Sequence, residues 1–263
     1  MTEAVHPGPH GRPIGDGLRL GFTTFTILPV RPGAVDRDAA RVAMVTAGAY
    51  GLLIGAVVGA LAIGLPAWHA PGLLTAVIGV AVATLATRGL HLDGLADTID
   101  ALGSYGDRDR ALAIMRSPEV GPFGVAAIVF ALLVPVAAIT AVLDRPWWAL
   151  LLSVAAGYAT GRLAATWACL VGVPAARPDG LGALVAGTVP WPAALVATVV
   201  VGALAVPAVP HRPWQGPVAV LAALAATAAV TAHLRRRIGG VTGDTLGACV
   251  EIGTVIALIG LAW

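Results

Sequence analysis

The chain has 263 residues, of which 58% are hydrophobic and 11% are charged, and its formal net charge at pH 7 is +2. Soluble domains carry charge on roughly a quarter of their residues, so this composition excludes an ordinary soluble protein. The net charge says little about partners, and nucleic acid is not expected as one.

The beginning of the chain is polar. Residues 1–16 contain Pro, Gly and Arg without an apolar core, so we expect a disordered tail and no cleavable signal peptide. Residues 17–30, GLRLGFTTFTILPV, are apolar but too short to cross a bilayer, which favours an interfacial helix. Residues 17–263 are expected to form a single polytopic membrane domain that carries the catalytic site.

Seven apolar runs follow, and we expect each to cross the hydrocarbon core as a helix. They lie at about 42–65, 71–88, 123–143, 146–172, 187–208, 217–233 and 246–262. The predicted fold is therefore an all-α integral membrane protein, with about seven transmembrane helices, an N-terminal interfacial helix and a short cytoplasmic helical segment. The lipid bilayer is the first partner that this fold implies.

The arginines indicate the orientation of these spans. Only Arg145 and Arg212 fall in loops on the side opposite the arginine-rich segments. The positive-inside rule then places the N-terminus and residues 89–122, 173–186 and 234–245 in the cytoplasm, and the C-terminus outside. Every polar segment of interest opens on the cytoplasmic face.

The stretch HLDGLADTID, residues 91–100, concentrates acid in this apolar chain. On a helix that turns about 100° per residue, Asp93, Asp97 and Asp100 fall within an arc of about 60°. Like charges at this spacing repel one another. A divalent cation removes that repulsion, and Mg²⁺ prefers carboxylate oxygens combined with substrate phosphates. The alternative is a solvated helix face without a ligand.

Two features near this stretch leave alternatives open. His91 points away from the aspartates on an ideal helix, which favours a structural role over a functional one. Asp107 begins the next polar segment and is placed to cap a short helix. Arg110 and Arg116 in that segment are free either to pair with phosphate or to extend toward lipid headgroups.

Charged residues within apolar runs are costly and usually face a polar cavity. Arg162 lies in such a run, which favours a functional or ion-pairing role over a membrane-end anchor. In GGVTGDTLGACVEIG, residues 239–253, the glycine-rich turn before a helix favours anion binding, although Thr242 or Asp244 as a helix cap is the alternative. Asp244 and Glu251 are seven residues apart and share a helix face, with Glu251 about two turns into the span.

Four segments together resemble the cobalamin synthase family. These are HLDGLADTID, DRDRALAIMR, ARPDGLG at residues 176–182, and GGVTGDTLGACVE. The resemblance implies a Mg²⁺-dependent enzyme in the plasma membrane of a bacterium, with its active site facing the cytoplasm. Such an enzyme joins α-ribazole, or its 5′-phosphate, to adenosylcobinamide-GDP and releases GMP.

The resemblance also implies roles for individual residues. Catalytic roles go to Asp93, Asp97 and Asp244, and metal ligation to Asp93, Asp97, Asp100 and Asp244. Substrate contacts go to Arg110, Arg116, Arg162, Arg177, Thr242 and Glu251. The chain departs from the family pattern at Ala113, Ser117, Pro118 and Glu119, and Ile27 stands where relatives often carry Arg.

Two other functions are weighed against this one. A CDP-alcohol phosphotransferase uses a DG-x-x-AR pattern, and DGLADT lacks that Arg. A cation-coupled transporter places its ionisable residues near the bilayer midplane on broken helices, whereas these residues cluster at one edge. The sequence leaves the oligomeric state open, a homo-oligomer included.

Overall fold

The helices of the computed structural model define the architecture, which is described for residues 13–31 and 33–263. These residues contain no strand, only two isolated bridges. The helices are α1 (Pro13–Phe25), α2 (Arg37–Val45), α3 (Ala47–Ala67), α4 (Gly72–Ala86), α5 (Leu90–Gly103), α6 (Arg108–Ile114), α7 (Pro122–Ala141), α8 (Trp147–Ala168), α9 (Gly180–Val185), α10 (Trp191–Ala205), α11 (Gln215–Ile238) and α12 (Gly243–Ala262).

The structure has a helix near the N-terminus, as predicted, but its bounds differ from the predicted ones. Residues 1–12 of the predicted tail lie outside the described residues. Helix α1 already begins at Pro13, four residues before the predicted interfacial segment, and it ends at Phe25. It packs against α2 and α3. The short helical segment predicted between the second and third spans is α6, and Asp107 caps it by accepting a hydrogen bond from the Arg110 amide at 2.8 Å.

A helix stands at each of the seven predicted spans, which confirms a helical integral membrane protein. By length and apolarity four of them can cross a membrane, namely α3, α7, α11 and α12. The total rises to five if α4 and α5 form one span bent by 87°. Helix α10 is too short, with 15 residues, and α8 is not among the helices that are both long and apolar enough. The number of crossings therefore stays a prediction.

The bend between α4 and α5 has a local cause. Arg88 and Gly89 both adopt positive φ angles, 58° and 68°, so the α4 helix cannot continue through them. Helix α5, which carries the three aspartates, is thereby turned out of the α4 axis. Helix α4 is the apolar member of the pair, and α5 falls within residues 89–122, which the positive-inside rule predicts to be cytoplasmic.

The first predicted span begins later than expected. Instead of one helix from residue 42, α2 ends at Val45 and α3 begins at Ala47. Thr46 separates them, and its hydroxyl donates to the Val42 carbonyl at 2.8 Å. Residues 42–45 therefore belong to a short amphipathic helix that contributes Met44 to the interior.

Helix α8 lies at the centre of the bundle and packs against α3, α10, α11 and α12. Small residues let the backbones approach closely, as membrane helices require. A Cβ on Gly55 of α3, for example, would lie 2.6 Å from the Ala155 Cα of α8. Helix α12 packs between α8, α11, α5 and α7, so its first turn is held beside the acidic helix α5.

Candidate active site

Helix α5 crosses the first turns of α12 with the two backbones in contact. A Cβ on Gly94 would lie 2.6 Å from the Asp244 carbonyl oxygen and 2.9 Å from its Cα. A Cβ on Gly247 would lie 3.1 Å from the His91 carbonyl oxygen. The motifs HLDGLAD and GGVTGDTLG, far apart in sequence, are therefore joined through two glycines.

A cavity of about 270 Å³ lies beside this crossing. Helices α1, α2, α5, α8 and α12 line it, together with Arg177, residues 179–182 and residues 241–242. Its buried lining is mostly apolar and includes Phe25 and Met44, each 2% exposed. Four charged side chains also line it, Asp93, Arg177, Asp179 and Asp244, which we call the polar mouth; Asp93 and Asp179 are exposed, whereas Arg177 and Asp244 are partly buried. The site thus joins a closed apolar interior to a charged opening.

The glycine-rich turn acts both as a cap and as part of the site. Thr242 is the N-cap of α12 and exchanges hydrogen bonds with Thr245 in a capping box. Its hydroxyl also donates to the Asp244 carboxylate at 3.2 Å. Arg177 Nη2 lies 3.7 Å from the same carboxylate and donates to the Leu112 carbonyl at 3.3 Å. Thr242, Asp244 and Arg177 therefore meet at the polar mouth.

Asp93 and Asp97 stand one turn apart on α5, next to the start of α12. Asp93 is exposed and lines the cavity, while Asp97 is partly buried. Burial, followed by the negative charges of Asp93 and Asp244, raises the pKa of Asp97 to about 6. The carboxylates are therefore close enough for their charges to repel one another, and a bound cation would relieve that repulsion.

Asp100 is engaged elsewhere. Its two carboxylate oxygens accept hydrogen bonds from the backbone amides of Gly121 and Gly124, at 2.7 and 2.9 Å. These amides begin α7, where a helix leaves its first N–H groups without partners and favours negative charge. The helical-wheel prediction grouped Asp100 with the other two aspartates, whereas the structure turns its carboxylate to α7.

The arginines of the α6 segment differ in position. Arg110 is exposed and lines a second, open cavity of about 430 Å³, next to Asp100. Arg116 is exposed and forms an ion pair with Asp179 of the polar mouth, at 3.4 Å. Arg108, which the sequence did not single out, donates to the carbonyls of Ile238 and Ala176, at 2.8 Å each. It ties α6 to the loops that carry Arg177 and Thr242.

Arg162 and Glu251 lie apart from the polar mouth. Both line a separate cavity of about 20 Å³, together with Tyr158 and Thr254. Arg162 is 2% exposed, and in the described part of the chain its Nε and Nη1 atoms have no hydrogen-bond partner. Asp244 and Glu251 share a helix face, as the seven-residue spacing predicts, but about 10 Å of axial rise separates them. The structure therefore does not bring Arg162 or Glu251 to the main cavity.

The donor chemistry at the polar mouth suits Mg²⁺. Within residues 13–31 and 33–263, no three or more His, Cys, Asp or Glu side chains converge as metal ligands. Mg²⁺ usually needs fewer, because it binds through one or two carboxylates and completes its shell with waters and substrate phosphates. Asp93 and Asp244, which both line the cavity, are two carboxylates of the type that would hold a Mg²⁺ ion together with a phosphorylated substrate.

Sequence reasoning missed two residues of the cavity. His91 is 4% exposed, lines the cavity and stacks with Phe25 at a centroid distance of 5.7 Å. The helical wheel gave the correct direction, away from the aspartates, but could not show that a cavity lies there. Asp179 stands in ARPDGLG, two residues after Arg177, and that proximity was the available signal.

Comparison with known proteins gives consistent results. The protein-family model described as Cobalamin-5-phosphate synthase matches residues 17–262. Three relatives are each called adenosylcobinamide-GDP ribazoletransferase. The protein from Frankia casuarinae is 41% identical over 93% of this chain and 93% of its own. The Nocardioides sp. protein is 41% identical over 94% and 98%, and the Klebsiella pneumoniae protein 37% identical over 92% and 96%. No solved structure matches the chain.

Proposed function

The chain belongs to the cobalamin-5-phosphate synthase family, and from this membership we propose that it joins α-ribazole, or α-ribazole 5′-phosphate, to adenosylcobinamide-GDP. GMP is released, and adenosylcobalamin or its 5′-phosphate is formed. The reaction belongs to the last stage of cobalamin assembly. It is a phosphoryl transfer from a nucleotide diphosphate ester to an alcohol.

One observation supports this chemistry above the others. The carboxylate of Asp93 from α5, the capped start of α12 and the guanidinium of Arg177 meet at the mouth of one cavity. Phosphoryl transfer depends on positioning and on stabilisation of charge around the phosphate, and these groups are the types that provide both. Arg177 is placed to pair with the pyrophosphate, and its forked donors suit phosphate oxygens.

The step conserves atoms and charge. A ribose hydroxyl oxygen of the acceptor attacks the phosphorus that carries the cobinamide, forming a new O–P bond. The bond from that phosphorus to the bridging oxygen breaks, and GMP leaves with the electron pair. Since the 5′-phosphate form is also an acceptor, the attacking group is a ribose hydroxyl other than the one at the 5′ position. Asp244, which lines the cavity, is placed to take the hydroxyl proton.

Magnesium enters this proposal as a cofactor. Asp93 and Asp97 would hold the ion at the polar mouth, with Asp244 as a further candidate ligand. When bound, Mg²⁺ supplies neutralisation of the pyrophosphate charge. Arg116 and Arg110, both exposed beside the mouth and the second cavity, are candidates to contact the outer parts of the GDP-linked substrate.

The proposal includes a location. A bacterial plasma membrane, with the polar mouth facing the cytoplasm, agrees with the distribution of arginine between the loops. Both substrates would then reach the site from the cytoplasm. A cysteine at position 178 should be protected from an impermeant thiol reagent added outside, while one at position 212 should react. Labelling of position 178 from outside would overturn this orientation.

The reaction itself is tested with purified protein in nanodiscs. Supplied with adenosylcobinamide-GDP, α-ribazole and Mg²⁺, the chain should release GMP and form adenosylcobalamin in equal amounts. Asp244→Asn should reduce turnover by about 10²-fold or more, because it removes the charge without changing the shape. The matched control is Asp144→Asn, which alters an exposed aspartate outside the site. Equal turnover by both variants, or release of CMP from a CDP-alcohol substrate in place of GMP from adenosylcobinamide-GDP, would refute the assignment.

A further inference from the structure

His91 is a buried polar residue of the cavity that the proposed chemistry does not use. It is 4% exposed, and in the described part of the chain its Nδ1 atom has no hydrogen-bond partner. A buried polar side chain without a partner costs free energy, so such a side chain in the wall of a cavity points to a ligand. Gly247 allows the backbone of α12 to pass close to His91 and thereby fixes the position of the histidine.

The surroundings of His91 suit a flat aromatic group. Phe25 stacks on the imidazole with an angle of 29° between the rings. Met44, Leu246 and Val250 complete an apolar wall, each of them at most 5% exposed. Aromatic and aliphatic walls of this kind hold planar ligands by area and by offset stacking.

The polar groups of this inner part are few. Of the buried side chains that line the cavity, His91 and Thr242 are the polar ones, and Thr242 already takes part in the α12 capping box. Arg177 Nε also has no hydrogen-bond partner in the described part of the chain, but Arg177 lies at the polar mouth beside Asp244, so His91 is the free side-chain partner that the apolar inner part offers a base. Guanine carries several donors and acceptors around its edge and would leave most of them unpaired. The base of α-ribazole, a benzimidazole, has one free ring nitrogen.

The volume of the cavity also favours the base of α-ribazole as its occupant. A volume of about 270 Å³ lies near the lower end of the range for small-molecule sites, roughly 300–1,000 Å³. That space suits a nucleoside, whereas a corrinoid ring with its side chains is several times larger. The GDP-linked corrinoid therefore has to stay at the polar mouth or outside it.

We propose that the inner cavity is the acceptor subsite and that His91 determines its specificity, with the imidazole N–H donating to the free ring nitrogen of the benzimidazole base. This inference rests on the proposed function. The base lies among Phe25, Met44 and Leu246, and the ribose points to the polar mouth. That orientation brings a ribose hydroxyl to Asp244 and to the phosphorus held there.

The test compares two changes that remove the same hydrogen bond. On the protein side, His91→Phe removes the donor and keeps a planar ring. On the ligand side, an analogue of α-ribazole carries CH in place of the free ring nitrogen. Each change alone should raise the KM for the acceptor about tenfold, with the KM for adenosylcobinamide-GDP unchanged. The two together should raise it no further than one alone.

Further variants control for folding and for general effects. His91→Gln, which places an amide N–H at about the reach of the imidazole Nε2, should recover most of the acceptor affinity. His233→Asn, on the exposed face of α11, should leave both KM values unchanged. The analogue is also measured with the unaltered chain, so the test stands even if the Phe variant does not fold.

Each outcome has a distinct meaning. A rise in the KM for adenosylcobinamide-GDP instead would place guanine in the cavity and overturn the assignment. Equal use of α-ribazole and the CH analogue by the unaltered chain would show that His91 does not contact the base. Absence of any GMP release by the unaltered chain would count against the proposed function, whereas normal release with unchanged acceptor KM in the variants would count against this inference alone.

Discussion

Replacing Gly94 with alanine should disrupt the site without touching any of its side chains. The added Cβ would lie 2.6 Å from the Asp244 carbonyl oxygen and 2.9 Å from the Asp244 Cα. Both are backbone atoms of the first turn of α12, so no flexible side chain can move aside. Since carbon atoms pack best at about 3.5–4.0 Å, the two helices have to separate by roughly 1 Å.

The expected magnitude follows from that displacement. Overpacking of this kind costs about 1–3 kcal/mol, while replacing glycine by alanine within a helix returns up to about 1 kcal/mol. The net loss of stability should therefore be about 0–2 kcal/mol, so the variant folds. A misplacement of about 1 Å between reacting groups costs roughly 10²-fold in rate. Activity should fall far more than stability does.

The assay measures turnover per folded molecule and the thermal midpoint of each variant in the same nanodiscs. Gly202→Ala is the matched control, because a Cβ on that helical glycine meets no atom within 4 Å. The control should keep full turnover and gain slight stability. If Gly94→Ala retained the turnover of the control, then α5 and α12 do not form one site through this contact.

Two further predictions concern residues whose positions differ from the sequence interpretation. Asp100→Asn should lower stability by about 1–3 kcal/mol, because it weakens two charged hydrogen bonds at the start of α7, and should leave the Mg²⁺ concentration for half-maximal turnover unchanged. A shifted Mg²⁺ requirement at normal stability would restore Asp100 as a metal ligand. Arg162→Leu should lower stability by about 1–3 kcal/mol, because the partly buried Glu251 charge loses the positive charge that shares its small cavity, while the double change to leucine at both positions should cost less. Weakened binding of adenosylcobinamide-GDP at full stability would instead give Arg162 a substrate role.

The sequence predicted the fold class because an apolar run long enough to cross a membrane can be recognised from consecutive residues alone. Helices stand at all seven predicted positions, and the helix break at Thr46 was missed because a hydroxyl that bonds to its own helix leaves no mark in hydropathy. The bend before α5 was also missed, since a positive φ at Arg88 is not a feature that its residue type favours.

The sequence identified those site residues that lie within its recognisable motifs. Thr242 and Asp244 lie together at the cavity, as do Asp93 and Arg177 from the other motifs. For Asp100 and Glu251, a helical wheel gives the direction around the helix axis but not the neighbour that each side chain meets. The carboxylate of Asp100 meets amides more than twenty residues further along the chain, and only the packing of α5 on α7 brings them together.

The bilayer explains why charge and aromatic recognition occupy different depths of this site. Charged groups are costly within the hydrocarbon region, so phosphate chemistry belongs at helix ends and loops. Asp244 stands in the first turn of α12, where the partial positive charge of the helix also favours a bound anion, and Arg177 lies in a loop. A planar base has no such requirement and can enter between helices beside Phe25 and His91. An enzyme that joins a small nucleoside to a very large phosphorylated partner can therefore enclose the first within its helices and receive the second at its surface.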